Sequence, residues 1–136
     1  MQEEKSVEQL ENDFWKEIDF PSDLVRKCFH YRKIPIGELT PEQLRTLIEQ
    51  NIGLTFLVPV ALKFLQKDIL LDAGFYEGDL LAAVLNVHQL LKEHHNIFKE
   101  IQQLVSKEKA SIEIQNTGNQ HRQLLIKIDA FLNNPN

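Results

Sequence analysis

The residues best able to do chemistry in this chain are five histidines, a single cysteine and twenty acids. His88, His94 and His95 lie close together and raise the question of a metal site. A helix offers two imidazoles to one ion when they stand one turn apart, at i and i+4. His94 and His95 point about 100° apart, and His88 and His95 lie about 10 Å apart along the axis, too far for one ion to bridge. His94 falls inside an apolar stripe, which reads as a hydrogen-bonded core or boundary histidine. No metal and no cofactor is expected.

Cys28 and His30 are the next pair. A thiolate nucleophile needs an adjacent base and a positive setting. Arg26, Lys27 and Lys33 supply charge, but Cys28 and His30 point to different faces of a helix or a strand. Cys28 shares the apolar face of Leu24 and Val25, and free cysteine is among the most buried residue types. It reads as a packed core residue. Glu77 and Asp79 would suit metal binding or acid–base work, yet a capping Asp79 with a solvated Glu77 explains both. The bracket Gly74 to Gly78 lacks the Gly-Lys-Ser/Thr of a phosphate loop. No Ser/His/Asp arrangement stands out, so no enzyme is expected.

The run Arg26-Lys27-Cys28-Phe29-His30-Tyr31-Arg32-Lys33 interleaves aromatics with cations, as a nucleic-acid stripe would. It is short, and the last turn of a helix favours cations through its dipole. A solvated helix end is the simpler reading, and no nucleic-acid partner is expected.

These residues must be positioned by helices. Val7, Leu10, Phe14, Trp15 and Ile18 recur at helical spacing, so a first helix is predicted from Ser6 to Ile18, with Ser6 as N-cap. Phe20-Pro21 breaks it, and Ser22 or Asp23 caps a second helix to Tyr31. Thr40-Pro41-Glu42-Gln43 is a capping box with proline at the first helical position. Gly53 is expected to end that third helix in the left-handed conformation. Leu57, Val60, Ala61, Phe64 and Leu65 define a fourth, with Pro59 in or near its first turn. Asp79 is expected to cap a fifth over Leu80 to Leu85. The C-terminal helices are predicted at about 87–108 and 120–132, with a polar loop between them over Ser106 to Gln120. Asn133-Asn134-Pro135-Asn136 cannot continue the last helix. The pattern predicts an all-α fold, a single-domain bundle of about six to seven helices with short connections.

The chain of 136 residues favours one domain, and its hydrophobic content of 43% and charged content of 26% are ordinary globular values. The net charge is -5, unevenly placed. Met1 to Asp23 holds eight acids and two lysines, Asp68 to Asp79 four acids and no base, and Arg26 to Lys33 four bases and no acid. A net acidic protein attracts basic partners. One cysteine forms no internal disulfide, which fits a reducing compartment. The N-terminus lacks signal-peptide order, and the longest uncharged run, Gln50 to Leu62, is too short to span a bilayer. A cytoplasmic protein without a membrane partner is expected.

One block is more specific. From Lys33 to Leu85 the order Pro35, Glu38-Leu39, Leu44-Arg45, Gln50, Ile52-Gly53-Leu54, Pro59, Ala61-Leu62 and Gly78-Asp79-Leu80-Leu81 resembles the small helical immunity proteins of bacterial contact-dependent growth inhibition. The resemblance is strongest between Trp15 and Leu85 and fades beyond into helical pattern. It implies a cytosolic antidote that binds and blocks the C-terminal toxin domain of its cognate effector, often a nuclease. It carries over no catalytic residues. An acidic surface suits the basic groove of a nuclease and steers association.

The expected toxin contacts are Asp68, Asp72, Glu77 and Asp79, with Phe75 and Tyr76 as anchors, since Tyr is a favoured hot-spot residue. A solvated turn with an ordinary cap fits the same loop. The acidic face of Glu8, Glu11 and Glu17 is a second choice. Two other classes stay open: a generic helical adaptor without a toxin partner, marked by an exposed apolar patch free of acids, and a nucleic-acid regulator using Arg26 to Lys33.

Overall fold

Thr40 opens its helix as its neighbours dictate. Its hydroxyl accepts the Gln43 N–H at 3.2 Å, and Gln43 returns a carbonyl oxygen to the Thr40 N–H at 3.0 Å. The same reciprocal box closes the start of the chain, between Ser6 and Gln9. A computed structural model describes residues 2–17 and 19–133. Among them are seven α-helices: α1 (Val7–Glu11), α2 (Asp23–Tyr31), α3 (Pro41–Glu49), α4 (Leu54–Lys67), α5 (Asp79–Asn86), α6 (His95–Gln115) and α7 (Arg122–Asn133). Short 3-10 turns lie at Gln2–Glu4, Ile36–Glu38 and His88–Leu91. The described residues form no strand, only isolated bridges from Ser6 to Pro35 and from Asp72 to Glu77. The protein is all-α.

α5 is the centre of the bundle. Every residue from Asp79 to Leu85 is buried. A helix apolar all round must be covered on all sides, and α3, α4 and α7 pack on it. α6 closes the other side of α4 and pairs with α7, where Lys109 and Asp129 form a surface ion pair at 2.7 Å. Asp129 raises the Lys109 pKa by hydrogen bonding to its ammonium group.

Several boundaries differ from the sequence expectation. α1 stops at Glu11 because Asn12 turns left-handed at φ 52. Residues 13–17, expected as helix, instead run irregularly over the end of α2; Ile18 lies outside the described residues. The left-handed residue after α3 is Asn51 at φ 60, not Gly53. Gly53, also left-handed, precedes α4, where a Cβ would stand 3.1 Å from Val7. α4 starts at Leu54, so Pro59 falls beyond its first turn and leaves the Thr55 carbonyl without its usual donor.

α6 starts eight residues later than expected, at His95, because Val87 leads into a 3-10 turn. It also runs on to Gln115, through the segment expected as loop. Ile101, Leu104, Val105 and Ile112 keep one buried stripe along it, and the polar residues between them face water. α7 lies close to its expected span but ends on Asn133, the residue expected to stop it; Asn134, Pro135 and Asn136 lie outside the described residues.

Candidate partner-binding surface

The acidic segment between α4 and α5 is a fixed loop. Asp68 leaves α4 in an extended conformation, and its carboxylate accepts the Leu70 N–H at 3.2 Å. Ile69, Leu70 and Ala73 turn inward and anchor the loop in the core. The Asp72 carboxylate accepts the Gly74 N–H at 2.8 Å. The Gly78 N–H donates to Leu70 and Leu71 carbonyls at 3.1 and 3.2 Å. Gly74 at φ 120 and Gly78 at φ 87 take conformations that side chains rarely adopt, and a Cβ on Gly78 would stand 2.8 Å from Leu124 of α7.

Asp79 holds the loop from inside. It is 2% exposed. One carboxylate oxygen accepts the Ala73 N–H at 2.7 Å and the other the Phe75 N–H at 3.0 Å. The second oxygen also lies 3.4 Å from Nε of Arg45, itself buried in α3. The cap position of α5 belongs to Gly78, so Asp79 is not the expected N-cap. It is turned away from solvent, unlike the other acids of the loop.

Asp68, Asp72, Phe75, Tyr76 and Glu77 are exposed. Phe75 and Tyr76 are 70% and 55% exposed, large values for aromatic rings. Asp68 and Asp72 make no ion pair among the described residues; their partners are backbone N–H groups. Glu77 has Nε2 of buried His121 at 3.8 Å. The loop therefore presents two aromatic rings among three carboxylates.

The second acidic face is arranged differently. Glu8 is buried beneath Lys33 at 3.3 Å, and Glu11 reaches Arg32 at 3.3 Å. Internal cations thus take up most of its charge. The same pairs dissolve the basic run: Arg32 is 1% exposed, Lys33 also lies over the Phe29 ring, and Arg26 and Lys27 pair with Asp23. The Arg26 bond holds the Asp23 carboxyl below its ordinary pKa.

The histidines do not converge, and the described residues contain no group of three or more His, Cys, Asp or Glu able to hold a metal ion. His88 bonds the Leu85 carbonyl through Nδ1 at 2.6 Å and packs edge-on to Phe131. His94 and His95 are exposed where α6 begins, so His94 is not the core residue its apolar stripe implied. Cys28 is buried as expected, and burial pushes its thiol pKa up.

Three residues escaped the sequence reading: Arg45, His121 and the burial of Arg32. Arg45 stands four residues before Glu49 and bonds it at 2.8 Å, a spacing that looks like an ordinary surface pair. Nothing local announces that it lies under the loop.

The pattern of one known family, described as CDI immunity proteins, matches residues 9–101. The chain belongs to that family. The match takes in α2 to α5, the whole loop and the first third of α6. α7, which buttresses Gly78 through Leu124, lies beyond it. No curated protein and no solved structure matches the chain. No helix of the described residues is long and apolar enough to cross a membrane.

Proposed function

We propose that the protein neutralises the toxin domain of its cognate growth-inhibition effector by binding it through the loop at residues 68–78. Membership of the CDI immunity family supports the toxin as partner. The observation that carries the choice of face is the exposure of Phe75 and Tyr76 on a loop held by Asp79 from within. Interfaces concentrate their energy in a few aromatic anchors, with charges at the rim. Asp68, Asp72 and Glu77 make that rim, and their charge suits a nuclease with a basic groove. Asp79 supports the surface rather than touching the partner. Leu90, Ile114 and Ile126, the other exposed apolar residues of the C-terminal half, lie on three different elements. Such scattered residues are ordinary and give the adaptor reading little support.

The test is calorimetric titration with a catalytically dead form of the toxin domain encoded immediately upstream. One-to-one binding, with Kd about 1 nM or lower, is expected, comparable to other specific inhibitory complexes. The double variant Asp72→Lys, Glu77→Lys should weaken it. Tight binding indifferent to both changes would move the interface elsewhere. Absence of binding by folded protein would remove this toxin as the partner.

A further inference from the structure

Phe75 projects into solvent, beside exposed Tyr76, from a loop in which Ile69, Leu70 and Ala73 are buried and Leu71 is half-buried. Its backbone is pinned on both sides. Its own N–H donates to Asp79 and the Gly74 N–H before it to Asp72, while the Tyr76 carbonyl after it accepts the Asp79 N–H at 3.1 Å. Its ring lies on the guanidinium of Arg45, with Cζ 3.8 Å from the ring centroid.

That guanidinium cannot drift. Nε donates to the Ala73 carbonyl at 3.1 Å and faces Asp79 at 3.4 Å, and Nη1 bonds Glu49 at 2.8 Å. Groups from the loop, α5 and α3 thus fix one flat cation, and the Phe75 ring rests on it. A lysine would answer the Asp79 charge, but it offers no plane on which to stack a ring. Burying an ion pair is also a weak route to stability. The arrangement has a clearer consequence at the surface: one face of the ring is covered by Arg45, while most of the side chain stays open.

We infer that Arg45 is the positioning residue for Phe75, and that Phe75 so held enters an apolar pocket on the partner whose rim carries lysine or arginine. This rests on the binding face proposed above. A ring fixed before contact loses little freedom on docking. An aromatic needs an apolar pocket to bury it, and Asp68, Asp72 and Glu77 on the same loop require cations at its edge. Tyr76 adds a second ring beside the first.

The experiment compares wild type with Phe75→Ala, Phe75→Leu and Arg45→Lys. Each is titrated against the inactive toxin domain, after circular dichroism has confirmed its helix content. In the free protein, the Arg45 Nε–H proton resonance is also recorded. Phe75→Ala should weaken binding about 100-fold, the scale of an interface hot spot, with Phe75→Leu in between. Arg45→Lys should lose about 10-fold, because it keeps the charge and releases the ring. The Arg45 resonance should carry a ring-current shift that Phe75→Leu abolishes. Phe75→Ala binding like wild type would overturn the anchor. Arg45→Lys binding like wild type, with Phe75→Ala weak, would overturn the positioning. If wild type itself does not bind, the toxin reading fails and the pocket with it. The presence or absence of the ring-current shift then decides the Arg45–Phe75 stack alone.

Discussion

Arg32 departs furthest from its surroundings in the sequence. It belongs to a basic run, yet it is 1% exposed beneath Trp15, whose ring lies 4.2 Å from Cζ. Nη2 donates to the Asp13 carbonyl at 2.7 Å, while Nε and Nη1 have no partner among the described residues. A buried donor without a partner costs about 1–3 kcal/mol. Relief of two such donors offsets the lost bonds to Asp13 and Glu11, so Arg32→Met should change stability by less than about 1 kcal/mol. The segment after α1 should loosen all the same. Trp15 is the single tryptophan, so its emission should shift to the red; an unchanged spectrum would mean that Arg32 does not hold this segment. Cys28, on α2 just before Arg32, makes a second residue-scale case. Burial raises its pKa, so the folded state holds the thiol proton more tightly than the unfolded chain. That contribution to stability is present at neutral pH and is lost as pH rises through the alkaline range above the ordinary thiol value. Native protein at neutral pH should therefore react with iodoacetamide far more slowly than protein in denaturant, and Cys28→Ala should flatten the alkaline fall in melting temperature.

At the scale of elements, starts and stops divide into those set locally and those set by packing. The Thr40 box is local: both bonds lie within four residues, and the sequence alone names both partners. Thr40→Ala should lower the unfolding free energy by about 1 kcal/mol, read as a shift in urea midpoint at constant slope. Gly78 depends on packing as well. It is left-handed, and a methyl group there would collide with Leu124 of another helix. Gly78→Ala should cost more than the 1–3 kcal/mol typical of a strained backbone position, and thermal melts would show whether it exceeds Thr40→Ala. α6 shows the opposite failure of local reading. Its polar second half looked like a loop because few apolar residues mark it. Ile112 is nevertheless fully buried, three turns below Ile101 on the same side of the helix.

For the whole molecule, net charge says less than its distribution. The balance of -5 spreads over two acidic regions. In one, Arg32 and Lys33 pair with Glu11 and Glu8, and the other keeps Asp68 and Asp72 free of ion pairs among the described residues. If the loop is the contact face, the association rate with a basic toxin should fall steeply as salt rises from 50 to 500 mM, roughly the range over which screening removes steering. Stopped-flow measurement should show Asp72→Asn reducing that salt slope and Glu11→Gln leaving it almost unchanged; equal effects would argue against the asymmetry.

The sequence by itself determined the all-α class, the caps at Ser6 and Thr40, the core faces of α3, α4 and α7, and the order of residues that resembles the family, and it narrowed the cap of α2 to Ser22 or Asp23. Apart from the family-like order, these are short-range properties, set by neighbours within about one helical turn. The tertiary structure decided which charges remain available. Arg45 meets Ala73 across 28 positions, Arg32 meets Asp13 across 19, and Asp79 turns inward only because the loop folds over it. Whether an ionisable side chain faces water or another charge depends on elements distant in the chain, which no local pattern encodes.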